Sequence, residues 1–199
     1  MDDQYKTRKT LIQRMQDGHD EQSWEDFIRT YRPYIHAIIR SMNISDFDAD
    51  DIVQQIMLKI WKNIGEVDLE QRQLFRGWLR TVTKNSVKDF IRKRTLDAKR
   101  LEKAQQEEAR SYLNSIRLPD IEKIADQEWG AHVFNLAMER IDGVFSGKAM
   151  QVFQLSMEGV SVEEIARKMD LKENSVYRLR NRVKVQLAQE VELLRAELE

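Results

Sequence analysis

Apolar residues recur along this chain at intervals of three and four, with polar residues between them, and no run alternates with period two. With only 7 Gly and 2 Pro to interrupt that spacing, the pattern predicts an all-α protein. Trp24, Phe27, Ile28, Tyr31 and Ile35 mark a first helix that Ser23 can cap, with Pro33 kinking it or opening its continuation. A second helix is expected from Asp48, with Phe47 spaced to pack on Ile52 and a buried stripe of Ala49, Ile52, Val53, Ile56 and Ile60. Its other side shows Asp51, Gln54, Gln55 and Lys59, and Asn63-Ile64-Gly65 ends it. A third helix, from about Phe75 to Arg94, turns Phe75, Trp78, Leu79, Val82, Ser86 and Phe90 inward. Arg76, Arg80, Lys84, Lys88 and Arg92 then stand four residues apart as a basic ridge.

These helices make a first module over residues 7–96. Residues 97–126 are rich in Glu, Lys, Gln and Ala, broken at Pro119 and without a clear apolar stripe, so a partly helical, poorly packed tether is expected there. A second module follows over 127–189, and 190–199 form a helical C-terminal extension. Within the second module, Ser161-Val162-Glu163-Glu164 is a capping box, and Val160 and Ile165 are placed to staple it. A short helix carrying Ile165 and Ala166, a turn at Met169-Asp170-Leu171-Lys172, and a second helix anchored by Val176, Leu179 and Val183 read as a helix-turn-helix. The second helix leaves Asn174, Ser175, Tyr177, Arg178, Asn181 and Arg182 on its free face, where long polar side chains can reach base edges and phosphates. An ordinary helix pair with a solvated basic face has the same spacing.

Charge sharpens this picture. The formal net charge is only −1, but it is segregated. Residues 76–100 hold nine Lys/Arg against two Asp, residues 43–70 seven acids against two Lys, and residues 172–184 five basic residues against one Glu. Two basic helices beside an acidic one imply two polyanion-facing surfaces and a third surface for another partner. No apolar run approaches the roughly 20 residues of a membrane span, and the N-terminus lacks signal-peptide features, so a cytoplasmic protein is expected. With no cysteine and three scattered histidines, neither a metal nor a cofactor is expected, and no nucleophile and base arrangement or phosphate loop suggests an enzyme.

Several blocks, in order, resemble the extracytoplasmic-function group of bacterial sigma factors. Trp24 to Phe27 (WEDF) with Tyr31-Arg32-Pro33 is similar to the opening of that family's region two, and Asp48 to Trp61 (DADDIVQQIMLKIW) to the segment that docks on the clamp helices of RNA polymerase. Phe75 to Asn85 (FRGWLRTVTKN), continuing through Asp89 to Arg92-Lys93-Arg94, is similar to the helix that grips and melts the minus-ten element, and the helix-turn-helix to region four, which reads the minus-thirty-five element. The resemblance implies that Asp51, Gln54 and Gln55 contact polymerase core. It likewise implies that Arg76, Arg80, Lys84, Asn85, Lys88 and Arg92 face promoter DNA, and that Ile64 to Leu74 correspond to a pocket for a flipped-out base. It leaves open an anti-sigma protein as a further partner. Position 170 is Asp where the family usually has Gly, which the turn should survive because Asp tolerates left-handed backbone; position 172 is Lys where a capping Ser or Thr is common. A stand-alone DNA-binding regulator and a helical interaction protein with no DNA role are the competing readings.

Overall fold

The computed structural model describes residues 11–12, 14–16, 21–66, 74–145 and 147–198. Among these there is no strand, and the chain divides into two units, the first ending at Gly130 and the second running over Ala131–Leu198. The expected start of the first module at residue 7 lies outside the described residues.

The first unit is built on α1 (Glu21–Ser41), α2 (Asp46–Asn63) and α3 (Leu74–Ala98), which pack in sequence order. Phe27, Tyr31, Tyr34, Ile35, Ile38 and Ile39 line the buried face of α1, and Pro33 sits exposed inside the helix. Ser23 does not cap this helix: it is buried and accepts a hydrogen bond from Arg14 Nε at 2.7 Å. The stripe expected for α2 is buried as read, but the helix starts earlier. Ser45 is its N-cap, accepting from the Asp48 N–H at 3.3 Å, and Phe47 is 75% exposed and staples nothing. The chain makes that start possible by turning at Asn43, which adopts φ 65°, a left-handed conformation that Asn tolerates better than most residues. On α3, Phe75 enters an aromatic cluster with Phe27 and Tyr31, ring centroids 6.1 and 5.5 Å away, and Trp78 packs half-buried beside Phe75.

Residues 97–126 differ most from expectation. They form α4 (Lys103–Ser115), a 3-10 turn (Leu118–Asp120) and the start of α5 (Ile121–Asp142), and this arm packs on the first unit. Ile116, Ile121, Ile124, Ala125 and Trp129 are buried, and full burial of one such large apolar side chain contributes about 1.5–3 kcal/mol. No single stripe showed in the sequence because the apolar positions are divided between two helices and the turn that carries Pro119.

The second unit holds the rest of α5, then α6 (Lys148–Met157), α7 (Val162–Met169) and α8 (Glu173–Leu198). Val152, Ile165, Ala166 and Val176 form one core cluster in it, with Leu155, Val160, Val162, Met169, Leu171 and Leu179 packed around them. Residues 190–198 continue α8 without a break, burying Leu194 and Leu198.

Candidate nucleic-acid interface

The helix-turn-helix is assembled as the spacing implied. Ser161 caps α7 by accepting from the Glu164 N–H at 3.2 Å, while the Glu164 carboxylate pairs with Lys168 at 3.1 Å and leaves the capping box one-sided. Asp170 ends α7 at φ 51°, ψ 58°, the left-handed conformation expected of the turn. Its N–H donates to Ala166, as does that of Leu171 at 2.9 Å. Lys172 then serves as the entry to α8, its carbonyl accepting from Ser175 and Val176. Ala166 and Ile165 of α7 meet Val176 of α8 in the core, so the side chain of residue 166 has to be small.

On α8, Asn174, Tyr177, Arg178, Asn181 and Arg182 are exposed and Ser175 is half-buried. Arg180 lies over the Tyr177 ring at 5.2 Å, and Arg182 over Phe145 at 5.3 Å, which fixes Arg182 from the side of α8 nearest the end of α5. Among the described residues no carboxylate stands within ion-pair distance of Arg178. This surface can present fixed hydrogen-bond donors and a stacking ring to a polyanion.

The α3 ridge is arranged differently. Arg76 pairs with Asp126 at 3.2 Å and lies over the Trp129 ring at 5.4 Å; Arg80 approaches Asp126 at 3.9 Å, and Lys84 pairs with Glu122 at 3.4 Å. All three partners come from the first turns of α5. Further along, Asn85 and Lys88 are exposed, and among the described residues Arg92 pairs only with its own neighbour Asp89, which also holds Lys59 of α2 at 3.2 Å. The ridge is therefore covered over its first half and open over its second. Sequence reading missed Glu122, Asp126 and Trp129, although Glu122 and Asp126 repeat at the same spacing of four as the cations they meet.

Polar bonds hold the covering arm to the unit. Tyr34 donates to the Ala125 carbonyl at 3.2 Å, Ser41 to Glu128 at 2.5 Å, and the Arg117 N–H to the Met42 carbonyl at 2.9 Å. Burial pushes the Tyr34 hydroxyl up to about 12. The arm's other anchor is Asp48, a buried carboxylate reached by Arg94, by the Tyr112 hydroxyl at 2.8 Å and by Ser45 at 2.9 Å. Burial alone would raise its pKa, but the hydrogen bonds from Arg94, Tyr112 and Ser45 outweigh that and hold it below the usual carboxylate range. Asp48 was expected to begin α2; it ties α2, α3 and α4 together instead.

The exposed face of α2 shows Asp51, Gln54 and Gln55, with the apolar Phe47 and Leu58 at helical spacing on either side. None of the three polar residues makes an ion pair or side-chain hydrogen bond among the described residues, which leaves the face open to a partner. Of the segment Ile64 to Leu74, Ile64–Glu66 form a 3-10 turn, and residues 67–73 lie outside the described residues.

Residues 27–96, which include the open face of α2 and the whole basic ridge, match the family model for Sigma-70 region 2. The match covers 70 of the 199 residues. The ECF RNA polymerase sigma factor SigE of Mycolicibacterium smegmatis (strain ATCC 700084 / mc(2)155) is 24% identical over 72 residues, which are 36% of this chain and 27% of that protein. The chain thus spans about a quarter of the length of this curated relative. A solved structure of CnrH in complex with the cytosolic domain of CnrY aligns over 92% of this chain and 96% of that one, at 16% identity and a TM-score of 0.37. The match ends at the last turn of α3, so the covering arm follows it in the chain. No helix among the described residues is long and apolar enough to cross a membrane.

Proposed function

We propose that this protein is a sigma factor of the extracytoplasmic-function type, which binds RNA polymerase core and directs promoter recognition, melting and the start of transcription. The observation that carries the reading is the region 2 match over residues 27–96. A helix-turn-helix with an exposed basic face, in the separate second unit, supports it. In this reading Asp51, Gln54 and Gln55 dock on polymerase, and α3 faces the minus-ten element through Asn85, Lys88 and Arg92 together with Arg76, Arg80 and Lys84. The α8 face of Asn174, Ser175, Tyr177, Arg178, Asn181 and Arg182 reads the minus-thirty-five element. The chemistry is binding and deformation without covalent steps: phosphate contacts give salt-sensitive affinity, base contacts fix the register, and unstacked bases are held as the duplex opens. The protein then works in the cytoplasm, without cofactor or metal, and an anti-sigma protein is a natural partner for its exposed surfaces.

Run-off transcription with sigma-free core polymerase on a library of promoter fragments tests this. Initiation that depends on adding the protein, and that falls when Asp51 and Gln54 are changed to Ala, is the expected result. Duplex binding by the protein alone, with no fragment responding to core polymerase, would replace it with a stand-alone regulator.

A further inference from the structure

Three cations of region 2 are met by two carboxylates from outside it. Arg76, Arg80 and Lys84 stand four residues apart on α3, and Asp126 and Glu122 stand four apart on α5, so the two rows run in register, with pairs at 3.2, 3.9 and 3.4 Å. The carboxylates meet the same cations that phosphates would meet if this ridge faced a nucleic acid. The three cations keep 33, 34 and 37% of their side-chain surface exposed. The buried residues Ile121, Ile124, Ala125 and Trp129 and the Tyr34 bond hold the carboxylates there independently of their charge.

We propose that Glu122 and Asp126 form an electrostatic mask over the first half of the basic ridge, standing in for nucleic-acid phosphates on Arg76, Arg80 and Lys84. This rests on the reading of α3 as a DNA-facing helix. The ligand being excluded is a single-stranded or opened nucleic-acid backbone, and the mask lowers the affinity of the free protein for it.

The test uses the full chain and a fluorescein-labelled single-stranded DNA oligonucleotide of mixed sequence, with anisotropy read across a salt series. The double variant Glu122→Gln, Asp126→Asn keeps the shape of both side chains and removes only their charge. It is expected to bind about five- to tenfold more tightly at low salt, the size of effect that two or three partly exposed ion pairs can exert. Its salt dependence should steepen by about 0.7 in the log–log slope for each phosphate contact regained. Adding Arg76→Ala, Arg80→Ala and Lys84→Ala to that double variant should cancel the gain. A control that removes two exposed acids elsewhere, Glu107→Gln with Glu108→Gln on α4, should show less than half of it. No gain in the double variant, or a gain that survives loss of the three cations or is matched by the control, overturns the mask. If there is no gain but Lys88→Ala with Arg92→Ala still weakens binding, the mask fails and the DNA-facing reading of α3 stands; if neither changes binding, both fall.

Discussion

α3 and α8 are both long basic helices, 25 and 26 residues, that lie on separate units and show cations at helical spacing. In sequence they look like two versions of one device. In the structure they are opposites: the first three cations of α3 are met by carboxylates and an aromatic ring from α5, whereas Arg178 on α8 meets no carboxylate among the described residues. Periodicity fixes which face of a helix a charge occupies, but not what another segment lays across that face. The difference between the two helices is the arm of residues 99–130, and the ways to break or sharpen it concern how that arm is fixed and what it covers.

The largest effect is expected at the arm's anchor. Asp48 is 5% exposed and receives hydrogen bonds from Arg94, Tyr112 and Ser45, so Asp48→Ala should lower the stability of the first unit by about 3 kcal/mol. All four tryptophans, at 24, 61, 78 and 129, belong to this unit, so urea denaturation followed by tryptophan fluorescence reads it alone. The effect should also depend on pH. Because the folded-state carboxyl is held below its ordinary value of 3.8, its contribution is fully present above that value and lost as pH falls through the lower folded value. The gap between wild type and Asp48→Asn should therefore stay constant from neutral pH to about pH 5 and close in stronger acid. A gap that widens on acidification would mean that the hub is not what stabilises the carboxylate.

The second unit has an anchor of the opposite sign. Arg140 on α5 binds Glu190 at 2.8 Å and Glu197 at 2.7 Å, fixing the last turns of α8, and these two hydrogen-bonded carboxylates outweigh the cost of burial and raise the Arg140 pKa. Arg140→Ala leaves both carboxylates, 12 and 19% exposed, without this cation; water can still reach them, so a loss of about 2 kcal/mol is expected rather than more. It should appear in far-ultraviolet circular dichroism with the tryptophan transition unmoved. Equal shifts by both probes would show that the units unfold as one.

Much of this was legible in the sequence. The helical class, the buried stripe of α2 and the helix-turn-helix with its Asp170 turn follow from local spacing and turn chemistry, which a single segment carries within itself. On α3, Phe75, Leu79 and Ser86 are buried as expected, but Thr83 and Val87 take the buried positions and Trp78, Val82 and Phe90 are only half-buried. Ser23, Asp48 and Phe47 were misplaced for one reason: a short polar residue beside a helical stripe reads as a cap, and an apolar one as a staple, whether or not a distant partner claims it. Arg14 claims Ser23, and Arg94 and Tyr112 claim Asp48. The arm was hidden because its apolar positions are shared between two helices and a turn, and its carboxylates read as solvated until α3 stands opposite them. The exposure of Asp51, Gln54 and Gln55 agrees with their polar stripe, since none of the described residues folds across α2 there.

The open helix should respond strongly to loss of one cation. Arg178→Ala is expected to weaken binding of a specific duplex by about tenfold, the value of one well-placed base or phosphate contact of 1–3 kcal/mol, with the fold intact because Arg178 is exposed. A gel-shift titration at fixed salt measures it, and a change under twofold would remove Arg178 from the interface.

The smallest effect is the one that sets the two helices apart. In the otherwise unaltered protein, Arg76→Ala with Arg80→Ala removes two cations from the ridge, twice the charge lost at Arg178. Both already face Asp126, and the loss frees that carboxylate to repel a polyanion only from a surface already short of positive potential. Binding of single-stranded DNA by the free protein should then fall by less than about twofold, because exchanging one ion pair for another at a partly exposed site changes free energy by only about 0–1 kcal/mol. Thermal melting should move little, since the arm is fixed by Ile121, Ile124, Tyr34 and Asp48 rather than by these pairs. A tenfold loss of binding would mean that Arg76 and Arg80 reach the nucleic acid past Asp126, and α3 and α8 would then be equally open after all.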